Sequence, residues 1–232
     1  MDSAPYDQQL QHSKLFQGLD QDAIQAAANA AHARRVKDGA FFFHQGDPAR
    51  VLYVLVEGRV KFTQVTTEGQ QVLLRAIGPG ETFGAVAALG DAFHPASAQA
   101  IGDCTALGWE SEVISGLMEQ FPRLALNAVR FLAGRVEEFQ DRYRELSTER
   151  VERRVAHALL RLARQLGKQA DDGILIDVAL SRQDIAEMAG TTLFTASRIL
   201  SAWEQQGFIK SRRARLFILK PDDLQAIASP GE

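Results

Sequence analysis

The chain carries a single cysteine, Cys104, among 232 residues. A lone thiol excludes an internal disulfide and any all-cysteine zinc or iron–sulfur site built within one chain. Set among strand-like residues, Cys104 reads as a small buried hydrophobe, not a reactive thiol. No apolar run reaches the roughly 18 residues that a membrane span needs. The polar stretch Met1 to Gln11 lacks the basic-then-apolar order of a signal peptide, so a cytoplasmic protein with no membrane partner is expected. Catalytic signatures are also missing: there is no Gly-x-Ser-x-Gly, no His-Glu-x-x-His, no Walker loop and no Cys/His cluster. Carboxylate pairs such as Glu137-Glu138 fall on the charged face of a helix, where solvated ion pairs are the default. No enzyme is expected.

What is present divides in two. At 232 residues the chain has room for two modest domains. The net charge of −3 hides an asymmetry: residues 150–232 hold 13 Lys and Arg against 10 Asp and Glu, while residues 1–149 hold 13 against 19. A positive C-terminal part and an acidic N-terminal part suit a protein that meets phosphates at one end only.

Asp20 is a good N-cap for an Ala-rich helix running to about Ala33. From Arg34 to Trp109, short apolar runs alternate with Gly and Pro: Phe41-Phe43, Val51-Val56, Val60-Val65 and Val72-Ile77 are separated by Gly46-Asp47-Pro48, Gly58, Glu68-Gly69 and Gly78-Pro79-Gly80. That texture predicts an all-β sandwich or barrel with a hairpin tip at Glu68-Gly69. Helix returns near Ser111. Ala125, Val129, Leu132, Val136, Phe139, Tyr143 and Leu146 then follow at alternating spacings of four and three, flanked by charges. A stripe so narrow fits a parallel homodimer seam better than a helix packed on its own domain. Residues 151–166 form a further helix, 167–173 a polar loop and 174–180 a short strand. The seam lapses near Arg150, which marks a hinge.

The region Ser181 to Gly207 carries the strongest motif. Ser181 and Asp184 form an acidic capping box, Ile185, Met188 and Ala189 an inner face, and Gly190 a sharp turn. A second helix starts at Thr191 or Thr192 and ends before Gly207, with Ile199, Leu200 and Trp203 toward the core. Thr192, Leu193, Ser197 and Arg198 are left facing outward. This is a helix-turn-helix, and Phe208 to Leu219, with the basic tip Lys210 to Arg215, reads as a β-hairpin wing that lies on phosphates.

In this order the elements resemble the CRP/FNR family of transcription regulators over essentially the whole chain. The residues that carry the resemblance are Leu15-Phe16, Leu19, Gly46-Asp47, Leu52-Tyr53, Glu57-Gly58, Gly80 and Phe83-Gly84. In the C-terminal part they are Leu180 to Ala186, Gly190, Ser197 to Leu200, Gly207 and Ile209. The implied fold class is α+β: a cyclic-nucleotide-binding-like β-roll (residues 1–124), a dimerisation helix (125–149) and a winged helix-turn-helix (150–232). The implied seam is Val129, Leu132, Val136, Phe139, Tyr143 and Leu146. The implied partners are double-stranded DNA with an inverted repeat, a second copy of the chain, RNA polymerase and a small effector, with activation and repression equally open.

Carried over residue by residue, Arg198 falls at the family's base-reading arginine, which can take guanine O6 and N7 together. Arg182 falls at a phosphate-contacting position, and Thr192 and Thr195 fit backbone contacts from their hydroxyls; Arg212 and Arg213 belong to the basic wing tip read above. The departure is at Leu193 and Phe194, where well-known members place a glutamate. Neither accepts a hydrogen bond from cytosine; they are left to touch thymine methyls, or Phe194 to join the core. The sensor departs further. Cyclic-nucleotide pockets of the family need a glutamate soon after Phe-Gly and an Arg-Ser or Arg-Thr pair about ten residues later. Here Phe83-Gly84 is followed by Ala85, and Phe93 to Ser97 has no arginine, so a buried cyclic phosphate would lack its cation and cAMP is not expected. Clustered N-terminal cysteines for an oxygen-sensing cluster are missing too. That leaves an apolar effector pocket around Phe83, Gly84, Ala85, Val86 and Ala87, with His94 and Phe139. Ala96 to Ala100 and Gln9-Leu10 resemble the nitric-oxide-responsive branch, which implies haem as one cofactor option with His94 as axial ligand. The effector itself stays unassigned. The alternatives are a haem-based nitric oxide or carbon monoxide sensor, and a β-roll regulatory subunit acting through a protein partner.

Overall fold

A computed structural model describes residues 6–67, 69, 71–84, 92–171, 173–178, 180–212 and 215–229. They form two compact units: the chain up to Gln64 together with Ile77–Glu138, and Val65–Ala76 together with Phe139–Glu232.

The first unit opens with helices α1 (Asp7–His12) and α2 (Gln21–Ala30). Asp20 caps α2 as expected, its carboxylate accepting from the Ala23 amide at 2.8 Å. Strands β1 (His32–Val36), β2 (Phe41–Phe43), β3 (Val51–Val65), β5 (Thr82–Phe83) and β6 (Ser97–Glu110) follow, while β4 (Gln71–Ile77) falls in the second unit up to Ala76. The sheet order is β1-β6-β3-β4, with β2 on β6 and β5 on β3. The long antiparallel ladder from Val51↔Glu110 to Thr63↔Ser97 is its spine. Val51-Val56 and Val60-Val65, expected as two runs, are one strand whose register shifts at Glu57. Gly58 absorbs the shift at φ +86°, and a Cβ there would sit 2.5 Å from Cys104 Sγ and 2.6 Å from the Asp103 carbonyl oxygen. Only glycine fits that bulge.

Two cores hold this unit. Leu10, Phe16, Ile24, Leu52, Trp109 and Leu117 bury one face of the sheet under the helices, and the Trp109 indole N–H donates to the Ala27 carbonyl at 2.8 Å. The second core is aromatic: Phe42, Phe43, Tyr53, Phe62 and Phe83 pack edge and face at centroid distances of 5.0–6.4 Å. Helix α3 (Ser111–Gln120) leads into α4 (Pro122–Thr148). Near the start of α4, the buried Asn127 amide donates to the Leu15 and Gln17 carbonyls.

The second unit is built on α5 (Val151–Leu166), whose Val155, Ala158, Leu159, Leu162 and Leu166 are buried. Strands β7 (Gly167–Ala170) and β8 (Gly173–Ile176), helices α6 (Arg182–Met188) and α7 (Leu193–Gln205), strands β9 (Ile209–Arg212) and β10 (Arg215–Ile218), and helix α8 (Pro221–Ala228) complete it. The sheet order is β7-β8-β10-β9. Residues 167–170, expected as loop, are an edge strand running from Gly167↔Ile176 to Ala170↔Gly173. Lys168 and Gln169 are both exposed there, so the strand shows no apolar alternation and gives no sequence signal. Conversely, the strand expected over 174–180 stops at Ile176. Asp177 follows, in ion pairs with Lys168 and Arg215. Helix α8, with proline at its first turn and Leu224 and Ala228 buried, packs against α5.

Two glycines of similar φ separate steric exclusion from backbone strain. Gly58→Ala is expected to lower unfolding stability by about 2–4 kcal/mol. Gly39→Ala, at φ +76° with open space around it, is expected to cost only about 1 kcal/mol. Chemical denaturation of the two variants checks this.

Candidate nucleic-acid interface

Both reciprocal bonds of the capping box form: the Asp184 amide donates to Ser181 Oγ at 3.1 Å, and the Ser181 amide to Asp184 Oδ2 at 2.8 Å. Helix α6 buries Ile185 and Ala186, and the chain turns at Gly190, φ +59°, where a Cβ would lie 2.5 Å from Leu146 Cδ2. Thr192 caps α7, its Oγ1 accepting from the Thr195 amide at 3.2 Å and lying 3.0 Å from the Thr195 hydroxyl. Ala196, Leu200 and Trp203 anchor α7 in the core. Ile199, expected beside them, is half-buried. Gly207, at φ +72°, ends the helix.

This anchoring leaves Leu193 47% exposed and Phe194 79% exposed, with Arg198 exposed one turn further on. Phe194 is therefore not a core residue. Ser197 is half-buried, its carbonyl accepting from Arg182. The Arg182 guanidinium, expected at phosphate, faces inward across the motif. It donates to the Ser197 carbonyl at 3.1 Å, to Ser201 Oγ at 2.9 Å and to Glu204 at 3.0 Å. The sequence marked Arg182 by position alone, and position does not show that Ser201 and Glu204 come round α7 to meet it.

In the wing, β9 and β10 pair from Ile209↔Ile218 to Arg212↔Arg215. Lys210, Arg212 and Arg215 are exposed. Arg213 lies outside the described residues.

The α4 stripe does not fold back on its own chain. Val129, Val136, Phe139 and Tyr143 are 62%, 55%, 70% and 67% exposed, while Leu132 is half-buried. Leu146, expected at the end of the seam, is half-exposed and lies against Gly190. Sequence reading missed the polar lock beside it. Arg161 Nη1 donates to both Glu145 carboxylate oxygens at 2.8 and 2.6 Å, and His157 Nε2 lies 3.3 Å from Glu149. Arg154 donates to the Glu149, Ala189 and Gly190 carbonyls at 2.9, 2.8 and 3.0 Å. It thereby ties the start of α5 to the turn of the motif. The four-residue spacings Glu145/Glu149 and His157/Arg161 were the available signal.

Of the expected effector residues, Phe83 and His94 come together, both packed on Phe43 within the aromatic core. Gly84 follows Phe83 at the end of β5. Ala85, Val86 and Ala87 lie outside the described residues. Phe139 belongs to the second unit and stands exposed on α4. His94 is buried, its ring stacked flat on Phe43 with centroids 3.5 Å apart and planes 5° from parallel. Burial pushes its pKa below the ordinary histidine value, against an opposing pull from Asp47. An axial haem ligand has to offer a ring nitrogen to an open face. A histidine buried and stacked in this way does not fit that role. Among the described residues no group of three or more His, Cys, Asp or Glu is placed to hold a metal ion. No described helix is long and apolar enough to cross a membrane.

Residues 33–121 match the model of the cyclic nucleotide-binding domain, and residues 153–227 that of the Crp-like helix-turn-helix domain. The cyclic AMP receptor protein of Thermus thermophilus is 32% identical over 198 residues, covering 85% of this chain and 88% of that protein. The chain belongs to the CRP/FNR family of transcription regulators. A CRP-like cAMP-activated global transcriptional regulator of Mycobacterium tuberculosis is 26% identical over 88% of this chain and 91% of its own length. Among solved structures, the Thermus thermophilus catabolite activator protein is similar at TM-score 0.56 and 31% identity, over 93% of this chain and 98% of that one. A CRP-family transcriptional regulator from the same organism is similar at TM-score 0.68 and 27% identity, over 84% and 96%. Family and fold are those of DNA-binding regulators, not of enzymes.

Arg182→Ala is expected to lower unfolding stability by about 1–2 kcal/mol, because it strips α7 of three bonds. Its DNA affinity is expected to fall with the salt dependence unchanged. A phosphate contact would instead reduce the salt slope by about one, so affinity measured across a salt series separates the two roles.

Proposed function

We propose that this regulator acts as a homodimer that reads an inverted repeat in double-stranded DNA, under control of a small effector that is neither cAMP nor an iron–sulfur signal. The observation that carries the dimer is the exposed row Val129, Val136, Phe139 and Tyr143 on one face of α4. Each large apolar side chain taken from water contributes about 1.5–3 kcal/mol when fully buried, and a second copy offers the same stripe in register. Two copies of α7 then face two half-sites about one DNA turn apart. Arg198 reads bases, with Ser197 beside it. Thr192, Thr195, Arg212 and Arg213 serve the backbone.

The Thermus and Mycobacterium relatives are named for cAMP. In this chain the stretch where the family's pocket keeps its arginine is Phe93 to Ser97 and contains none. Ala96 and Ser97 are buried, and the Ser97 hydroxyl accepts from the Gln45 amide. A cyclic phosphate placed there would lose its water without gaining a cation. The lone Cys104 cannot assemble a cluster; its thiol donates to the Arg59 carbonyl, and burial pushes its pKa up. The effector site in this reading centres on Phe83, Gly84, Ala85, Val86 and Ala87. The division into residues 1–124, 125–149 and 150–232 gives sensor, dimer helix and effector domain. Occupancy of the sensor repacks the α4 pair, and rotation about Arg150 sets the spacing of the recognition helices. RNA polymerase in the cytoplasm is the partner that such a regulator addresses.

Phe139→Glu and Val136→Glu are expected to convert a dimer to a monomer in sedimentation; a dimeric variant overturns the seam. Gel shift with randomised DNA is expected to enrich an inverted repeat with steeply salt-dependent affinity. Enrichment of nothing, with and without cell extract, favours a regulatory subunit that acts through a protein partner.

A further inference from the structure

We infer that the N-terminal edge of α7 recognises a pyrimidine 5-methyl group next to a guanine: Phe194, backed by Leu193, packs on the methyl, and Arg198 takes the guanine. This rests on the DNA-reading function proposed above and names what that surface reads.

The chemistry of the edge is one-sided. Leu193 and Phe194 occupy the first two positions of α7, directly after its Thr192 cap, and both stand exposed while the opposite face is buried through Ala196, Leu200 and Trp203. Phe194 and Arg198 are four residues apart on one helix, so their Cβ atoms lie about 5–6 Å from each other and the side chains address neighbouring base pairs. Residues 193–198 contain no carboxylate and no amide side chain. The hydroxyls of Thr192 and Thr195 are turned on each other, and the first carboxylate further along α7, Glu204, stands at the far end of the helix and is held by Arg182. The edge therefore has no strong acceptor for the cytosine amino group, the contact that an acidic side chain at this position would make.

A phenylalanine exposed at the tip of a recognition helix needs an apolar surface to cover it, and the major groove offers one: the methyl on C5 of thymine. Cytosine acquires the same methyl at the same place when it is methylated at C5. The reading surface thus discriminates methylated from bare pyrimidines and is indifferent to whether the base is thymine or 5-methylcytosine. Operator affinity becomes sensitive to cytosine methylation wherever a cytosine stands at that step. Insertion of Phe194 as a wedge between bases, which would also use an apolar ring, makes no such distinction.

The test uses the full chain and operators selected from randomised DNA. Each thymine of a selected half-site is replaced in turn by uracil, which removes the methyl and leaves the hydrogen-bonding edge intact. One position within a base step or two of the Arg198 guanine is expected to weaken binding about four-fold per half-site, the worth of one buried methyl group. At that position cytosine is expected to bind as weakly as uracil, and 5-methylcytosine to restore affinity. Phe194→Ala, an exposed substitution, is expected to bind thymine and uracil operators alike while keeping the wild-type salt slope. Equal wild-type binding to thymine and uracil at every position overturns the inference, as does a Phe194→Ala variant that still discriminates. Loss of affinity in Phe194→Ala without any thymine–uracil preference in the wild type assigns the ring to a wedge instead. A chain that selects no operator removes the DNA-reading function itself, a result distinct from all of these.

Discussion

A row of large apolar side chains facing water is a debt that the rest of this molecule is arranged around. Val129, Val136, Phe139 and Tyr143 share one face of α4, and Arg135, Glu138, Asp141 and Arg144 pair among themselves beside them. Charges that satisfy one another along the helix keep the stripe narrow and bounded, which is the condition for a two-stranded seam and not for burial in a globular core. In the proposed dimer, that seam sets where the two copies of the second unit stand. The last turns of α4 connect to α5 through Glu145 and Arg161, and α5 connects to the turn of the helix-turn-helix through Arg154. Leu146 completes the linkage by lying where any side chain on Gly190 would have to go.

That chain of contacts explains why the recognition helix can be short and yet well placed. Its position does not rest on its own propensity. Three buried residues hold it from beneath, Thr192 caps its start, and Arg182 braces it against α6 with three bonds. A base-reading surface needs this kind of rigidity, because discrimination between bases depends on placement to a fraction of an ångström. Leu193, Phe194 and Arg198 are left as the outward-facing members of the first two turns. Their chemistry, apolar beside cationic, defines what the groove must present.

Much of this was legible in the sequence, for physical reasons that differ from one element to the next. The capping box at Ser181 and Asp184, the Gly190 turn and the Gly207 stop are local signals, and local signals survive without tertiary information. The α4 stripe was legible because its period is strict over many turns. The polar edge strand at residues 167–170 was not, since a strand with both Lys168 and Gln169 in solvent carries no alternation to detect. Gly58 was read as a break between strands because sequence shows a glycine but not the Cys104 backbone pressed against it. The inward turn of Arg182 depends on three partners spaced 15 to 22 residues away, and the burial of His94 depends on Phe43, 51 residues earlier in the chain. Both are tertiary facts with no local trace.

In the proposed dimer, one seam holds two identical reading heads at a fixed spacing. Methylation interference on a selected operator tests that directly, since a methyl placed on guanine N7 blocks an arginine in the major groove. Two symmetric clusters of interfering guanines, centred about ten base pairs apart, are the result predicted, with both clusters vanishing together in Arg198→Ala. A single cluster, or interference that persists in Arg198→Ala, would contradict it.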